Sequence, residues 1–152
     1  DARPEIVCAF ESLVWGIQWV DDIEDWRDDL KTHDDNLMML SVASPSFHEL
    51  TGRPQAVQHG IVAQAILEKG AVSHAAAQAR IAFDAAATVQ EKLGCSALAQ
   101  LIRERAAALA DVERKATRRC EEDVLVMQLA HLVVPQETKA RVKTAPGGGD
   151  QR

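Results

Sequence analysis

Along most of the chain, apolar residues recur at intervals of three and four, the spacing of one face of an α-helix. In "PEIVCAFESLVWGIQWVDDIEDWRDDL" they run from Ile6 to Leu30 and predict one long helix over about residues 4–31, with Pro4 suited to its first turn. Its apolar positions go nearly all the way round, as in a central helix with neighbours on several sides. Asp34 and Asp35 are placed to cap a short helix through "NLMMLSVA", which "SPS" ends at Pro45; "FHELTGRP" reads as a loop or turn. From Pro54 a helix runs to about Lys69 and stops at Gly70, a residue suited to a C-cap. The alanine-rich "AVSHAAAQARIAFDAAATVQEKL" forms the next helix, with Val72, Ile81, Val89 and Leu93 on its apolar side and Gly94 closing it. Ser96 can cap the last long helix, "ALAQLIRERAAALADVERKATRRCEEDVLVMQLAHLVV", which Pro135 ends. "TAPGGGDQR" reads as a disordered tail, so the folded unit spans 1–134 and the tail 135–152. Strand-like alternation of useful length is absent, as is any repeat of fixed period. The expected architecture is an all-α helical bundle.

Composition narrows the classes. A chain of 152 residues with 47% hydrophobic content has the length of one domain and enough apolar residues for a core. The formal charge is −6, and the six carboxylates between Asp21 and Asp29, offset only by Arg27, account for −5 of it. The remainder is nearly neutral, with no basic surface to follow a phosphate backbone, which ranks nucleic-acid binding low. Cys8, Cys95 and Cys120 are too few and too far apart for a disulfide framework and show no zinc spacing, so a reducing cytoplasm fits best. No apolar run is free enough of charge to be a membrane span, and no signal peptide is visible. The chain begins mid-pattern at "DARPEIVCAF" without an initiator methionine and is read as a fragment whose N-terminal part is missing.

The acidic stretch changes the picture most. At about 100° per residue, Gln18, Asp21, Asp22, Asp25, Asp28 and Asp29 fall within roughly one third of the helix circumference and form one stripe. Trp15, Trp19, Trp26, Ile23 and Leu30 lie together to one side, which is expected to be buried. Val7, Phe10 and Val14 precede the carboxylates on the same face, with Glu11 among them, so the stripe passes from apolar to anionic along the helix. Carboxylates one turn apart repel by a few tenths of a kcal/mol per exposed pair. A solvated outer face would tolerate this, as most charge runs do. A divalent cation would compensate better: Mg²⁺ is held by one or two carboxylates together with waters and substrate phosphates.

"QWVDDIED", that is Gln18-x-x-Asp21-Asp22-x-x-Asp25, resembles the second aspartate-rich motif of the trans-isoprenyl diphosphate synthases, commonly FQxxDDxxD, in the class I isoprenoid synthase superfamily. The glutamine three residues ahead favours the second motif over the first, and no other DDxxD follows. Ile17 stands where the family often has Phe, Asp29 fits an aspartate that often follows the motif, and the family's downstream glycine and lysine pattern is not clearly present. "DWRDDL" is also similar to the squalene and phytoene synthase branch. The resemblance implies the C-terminal portion of an isoprenoid-synthase-like fold. It implies Mg²⁺ on Asp21, Asp22 and Asp25, isoprenyl diphosphate substrates held through the metal, and Gln18 and Asp29 as diphosphate-binding or supporting residues. Lys31 could touch a phosphate, though an exposed helix-end lysine is the commoner case. The implied activity is prenyl transfer, with terpene cyclisation or head-to-head coupling as alternatives. Because such a site takes carboxylates from two facing helices, the chain alone is expected to be inactive.

Other residues offer less. His33, His48, His59, His74 and His131 share no metal spacing, Ser44 and Ser46 lie in no nucleophile elbow, and each cysteine reads as a small core residue. "ERKATRRCEED" reads as a salt-bridged solvated face, and "GGG" is no phosphate loop. The competing class is a non-catalytic helical partner subunit, forming a homodimer or heterodimer through helices, with the alanine-rich helix as a close-packing surface.

Overall fold

The computed structural model describes residues 3–32, 34–42, 50 and 52–133. Five α-helices make up the described chain, and it contains no strand: α1 (Arg3–Thr32), α2 (Leu37–Val42), α3 (Gln55–Lys69), α4 (Ala71–Lys92) and α5 (Ser96–Val133). This is the expected all-α bundle. The loop expected around Pro45, His33, His48, Ser44, Ser46, the stop at Pro135 and the tail from 135 lie outside the described residues.

Gly70 does more than end a helix. Its φ of 62° and ψ of 31° are left-handed, a conformation that costs other L-residues strain, and its N–H donates to the carbonyls of Ile66 and Leu67. Its own carbonyl accepts from His74, so α4 starts where α3 stops. The α3–Gly70–α4 run lies antiparallel to α5 along its whole course. Glu91 pairs with Arg103, Ser73 bonds Glu113, and Gly60 sits against Met127. At 1.5 Å per residue α5 is about 57 Å long and backs both helices. Against this hairpin α1 runs antiparallel to α4, with Gly16 under the Phe83 ring and Trp19 edge-on to His74 at 6.2 Å. It runs parallel to α5.

Two apolar clusters fill the interior. One joins Phe83 and alanines of α4 to Ile102, Ala106 and Leu109 of α5; the other joins Ile23 and Trp26 to α2, α3, the start of α4, and Cys120. Trp19 packs against both. Alanine matters here because its small side chain lets helix axes approach: Ala71, Ala75, Ala76, Ala79, Ala86 and Ala87 are all buried. The alanine-rich face is therefore spent on α1 and α5 of the same chain. Of the residues expected on the apolar side, Val72 is buried and Val89 and Leu93 are half-buried, whereas Ile81 is 63% exposed; alanines and Phe83 make up the rest of the buried side.

On α1 the buried residues are Ala9, Gly16, Asp22, Ile23 and Trp26. Trp15, expected among them, is 54% exposed; it lies about two turns N-terminal to Asp22, where the start of α2 meets the helix. Trp19 and Leu30 are half-buried. The cap of α2 is Asn36 rather than Asp34 or Asp35: its Oδ1 accepts the Met39 N–H at 2.9 Å. Ser96 is the first helical residue of α5, whose opening bond runs from Ala99 N–H to the Cys95 carbonyl. Among the described residues no helix is long and apolar enough to cross a membrane.

Candidate functional site

The acidic stripe of α1 is divided by its neighbours. One flank lies under the start of α2, the other borders α5, and the middle is open.

Under α2, the carboxylate of Asp22 is buried and fully engaged. Oδ1 accepts the Gln18 amide at 2.7 Å, and Oδ2 accepts the Leu37 N–H at 2.8 Å. Asn36 donates through Nδ2 to the Asp22 carbonyl at 2.9 Å and to the Asp29 carboxylate at 2.7 Å. Burial pushes the Asp22 carboxyl above its ordinary value, against the pull of the Gln18 and Leu37 hydrogen bonds and with help from Asp29 and Asp21. Asp22, expected as a metal ligand, thus has both oxygens on protein donors. Gln18 and Asp29, expected toward diphosphate, also face protein partners.

In the open middle stand Asp21 and Asp25, both exposed and one turn apart. Among the described residues neither accepts a side-chain hydrogen bond or joins an ion pair. Partial desolvation, then the charges of Asp21, Asp29 and Asp28, raise the Asp25 carboxyl. Asp28 is held low by the Lys31 ammonium, which donates to it at 2.6 Å, so Lys31 is spent within the helix. Upstream, Val7, Phe10 and Val14 are 53%, 65% and 47% exposed, continuing the open stripe as an apolar surface. The structure therefore keeps the apolar-to-anionic passage and places Asp21 and Asp25 at its anionic end.

Toward α5 the stripe drops into a groove of about 490 Å³, with Phe83, Ile102 and Leu109 in its lining and Asp21, Glu24 and Arg105 among its polar residues. Leu98, Leu101 and Arg105, which also line it, were not expected from the sequence. Leu98, Leu101, Ile102 and Leu109 recur at helical spacing on α5, and that periodicity is the signal that could have found them. Asn36 was also missed, although an asparagine followed directly by "LMML" has the form of an N-cap.

Among the described residues no three or more His, Cys, Asp and Glu side chains converge as a metal-holding group. What the chain offers is an open pair of carboxylates. Histidines stand apart from it: His59 is edge-on to Trp26 at 6.0 Å with its pKa lowered chiefly by burial, and His74 meets Trp19. Cys120 is buried, its thiol pushed up to about 12, whereas Cys8 and Cys95 are exposed rather than core residues. Compared with known protein families, characterised proteins and solved structures, the chain matches none of them.

Proposed function

We propose that this chain supplies the diphosphate-holding helix of a Mg²⁺-dependent isoprenoid synthase, a transferase acting on allylic and homoallylic isoprenyl diphosphates. One observation carries the reading: the exposed side of α1 passes from Val7, Phe10 and Val14 to the unpaired carboxylates of Asp21 and Asp25. A molecule with an apolar tail and an anionic head, bridged by a divalent cation, matches that order.

The donor set fits Mg²⁺. Asp21 and Asp25 lie about 6 Å apart along the helix axis, and a hard cation takes such oxygens together with waters and phosphate. Bound there, Mg²⁺ would supply Lewis-acid stabilisation of the charge that develops on the departing diphosphate. Asp21 and Asp25 hold the cation. Asp22 and Gln18 stand behind that pair and fix the α1–α2 junction. Val7, Phe10 and Val14 lie along the prenyl tail and exclude water from it. The remaining oxygen donors come from substrate, water or a second carboxylate-bearing helix. Chain elongation is the first reading of the reaction, with cyclisation and head-to-head coupling using the same grip.

The test replaces Asp21 or Asp25 by Ala in the intact protein and measures pyrophosphate release from farnesyl and isopentenyl diphosphates with Mg²⁺. Loss of turnover by roughly a hundredfold or more in each variant, with unchanged helical content, is expected. Full turnover in both overturns the reading.

A helical partner subunit is the second reading. Its support is the open groove beside α1 together with Leu98 and Leu101 on α5, 41% and 54% exposed. Under this reading the chain raises the turnover of a separate synthase subunit, and removing Asp21 and Asp25 has no effect.

A further inference from the structure

We propose that Asn36 aims the acidic face: it keeps the Asp29 carboxylate and, through the α1–α2 junction, the Asp22 carboxylate turned inward, so that Asp25 is left to pair with Asp21 rather than with Asp29 or Asp22. This rests on the reading of Asp21 and Asp25 as the cation-holding pair.

Several pairs on α1 are chemically equivalent. Asp21/Asp25, Glu24/Asp28 and Asp25/Asp29 each stand one turn apart, and nothing in their side chains distinguishes one pair from another. Their neighbours do. Asp28 has one oxygen on the Lys31 ammonium. Asp22 is taken by Gln18 and the first N–H of α2. Asp29 is the remaining competitor for Asp25, and Asn36 removes it with a 2.7 Å hydrogen bond.

The job calls for an amide. Asn36 is 1% exposed and uses both kinds of group it has. Its nitrogen meets two oxygens, the Asp22 carbonyl and the Asp29 carboxylate, while its oxygen meets the Met39 N–H. Turning the amide over would set oxygen against two oxygens, so the network itself fixes the orientation. A serine has one donor too few. An aspartate keeps the cap for α2 but loses both donations and sets a second anion beside Asp29. Capping and aiming are therefore separable in one substitution. Asn36 is a positioning residue that touches none of the open carboxylates.

The experiment is carboxyl footprinting of the full chain: carbodiimide with a small amine, read residue by residue by tandem mass spectrometry, with and without Mg²⁺. In the unaltered chain Asp21 and Asp25 should be modified several-fold faster than Asp22 and Asp29. In Asn36→Asp, helical content should persist while Asp29 rises to the rate of Asp25. Mg²⁺ should protect Asp21 and Asp25 in the unaltered chain, and Asp29 as well in Asn36→Asp. Equal metal-free rates for Asp29 and Asp25 in the unaltered chain overturn the proposal. So does an Asp29 rate untouched by Asn36→Asp or, should the aspartate variant fail to fold, by Asn36→Ser, which retains an acceptor for Met39. Absence of Mg²⁺ protection at Asp21 and Asp25 counts instead against the cation reading, because the metal-free rates judge Asn36 on their own.

Discussion

Arg27 on α1 closes on Asp123 of α5 with two N–H groups, Nε at 2.7 Å, and donates to the Arg119 carbonyl at 2.9 Å. It ties the acidic end of α1 to the distal half of α5 while carrying positive charge beside the carboxylates. Both side chains keep some exposure, 31% and 17%, so the pair is discounted for solvent screening. Arg27→Ala should lower the stability by about 1 kcal/mol in urea titration, with a smaller loss at high salt. Arg27→Lys should recover only part of it, because an ammonium cannot reproduce the planar fork.

At Gly60 and Gly16 the facing helix leaves no room for a side chain. A Cβ on Gly60 would overlap Met127, whose own Cβ is fixed to the α5 backbone, and one on Gly16 would stand 2.6 Å from the Phe83 ring. Helix propensity alone favours alanine by about 1 kcal/mol. Overpacking costs roughly 1–3 kcal/mol and should win. Thermal melts should therefore show both Gly→Ala variants destabilised, Gly60→Ala more so, since a ring can tilt where a backbone-anchored carbon cannot.

How much of this could be read in advance follows from what each residue depends on. Helix limits near Pro4, Pro54, Gly70 and Gly94 are set by backbone chemistry within a few residues, and the sequence pattern located them. The open stripe of Val7, Phe10, Val14, Asp21 and Asp25 was likewise legible, because helical geometry alone puts these positions on one face. Asp22 was not, since its fate depends on α2 folding back onto α1 some fifteen residues later, where the Leu37 N–H meets it. Trp15 was misplaced for a related reason: periodicity gives a face, while coverage of that face at a given level depends on the neighbouring helices. Ile81 differs: nine residues from Val72, it stands half a turn away, on the face of α4 opposite the buried alanines and Phe83. The groove against α5 joins residues of α1 to residues far along the chain, Asp21 to Arg105 among them, beyond any local pattern.

Asp22 gives a pH dependence of definite sign. Its folded-state pKa is raised, with burial the first cause, so the native state binds a proton more readily than the unfolded chain. The cost of the buried charge is full above the raised value and is relieved as pH falls through it toward 3.8, the ordinary value. Asp22→Asn keeps the shape and, with the Gln18 amide turned, both hydrogen bonds. The stability difference between the natural chain and Asp22→Asn should therefore shift in favour of the natural chain as pH is lowered from neutral toward that range. Urea midpoints measured at several pH values would check it, and the opposite slope would contradict the burial argument.

The three cysteines should separate cleanly in a thiol-labelling time course. Cys8 and Cys95 are exposed, whereas Cys120 is buried in the core with its thiolate disfavoured until about pH 12. Iodoacetamide should modify the first two in the native protein and Cys120 only as the protein unfolds. Labelling of Cys120 at the rate of the others would mean that the α3–α5 contact opens without global unfolding.

Mechanically, α5 is a splint across a joint. The Gly70 elbow divides the opposing strut into two pieces, but the splint passes it unbroken and packs against both. A bend at the elbow would have to bend α5 as well, and the carboxylates and Phe10 stand on one unbroken helix, α1, that packs against this braced strut. For a surface that would grip a long molecule at its head and tail together, that stiffness keeps the distance between the two grips constant.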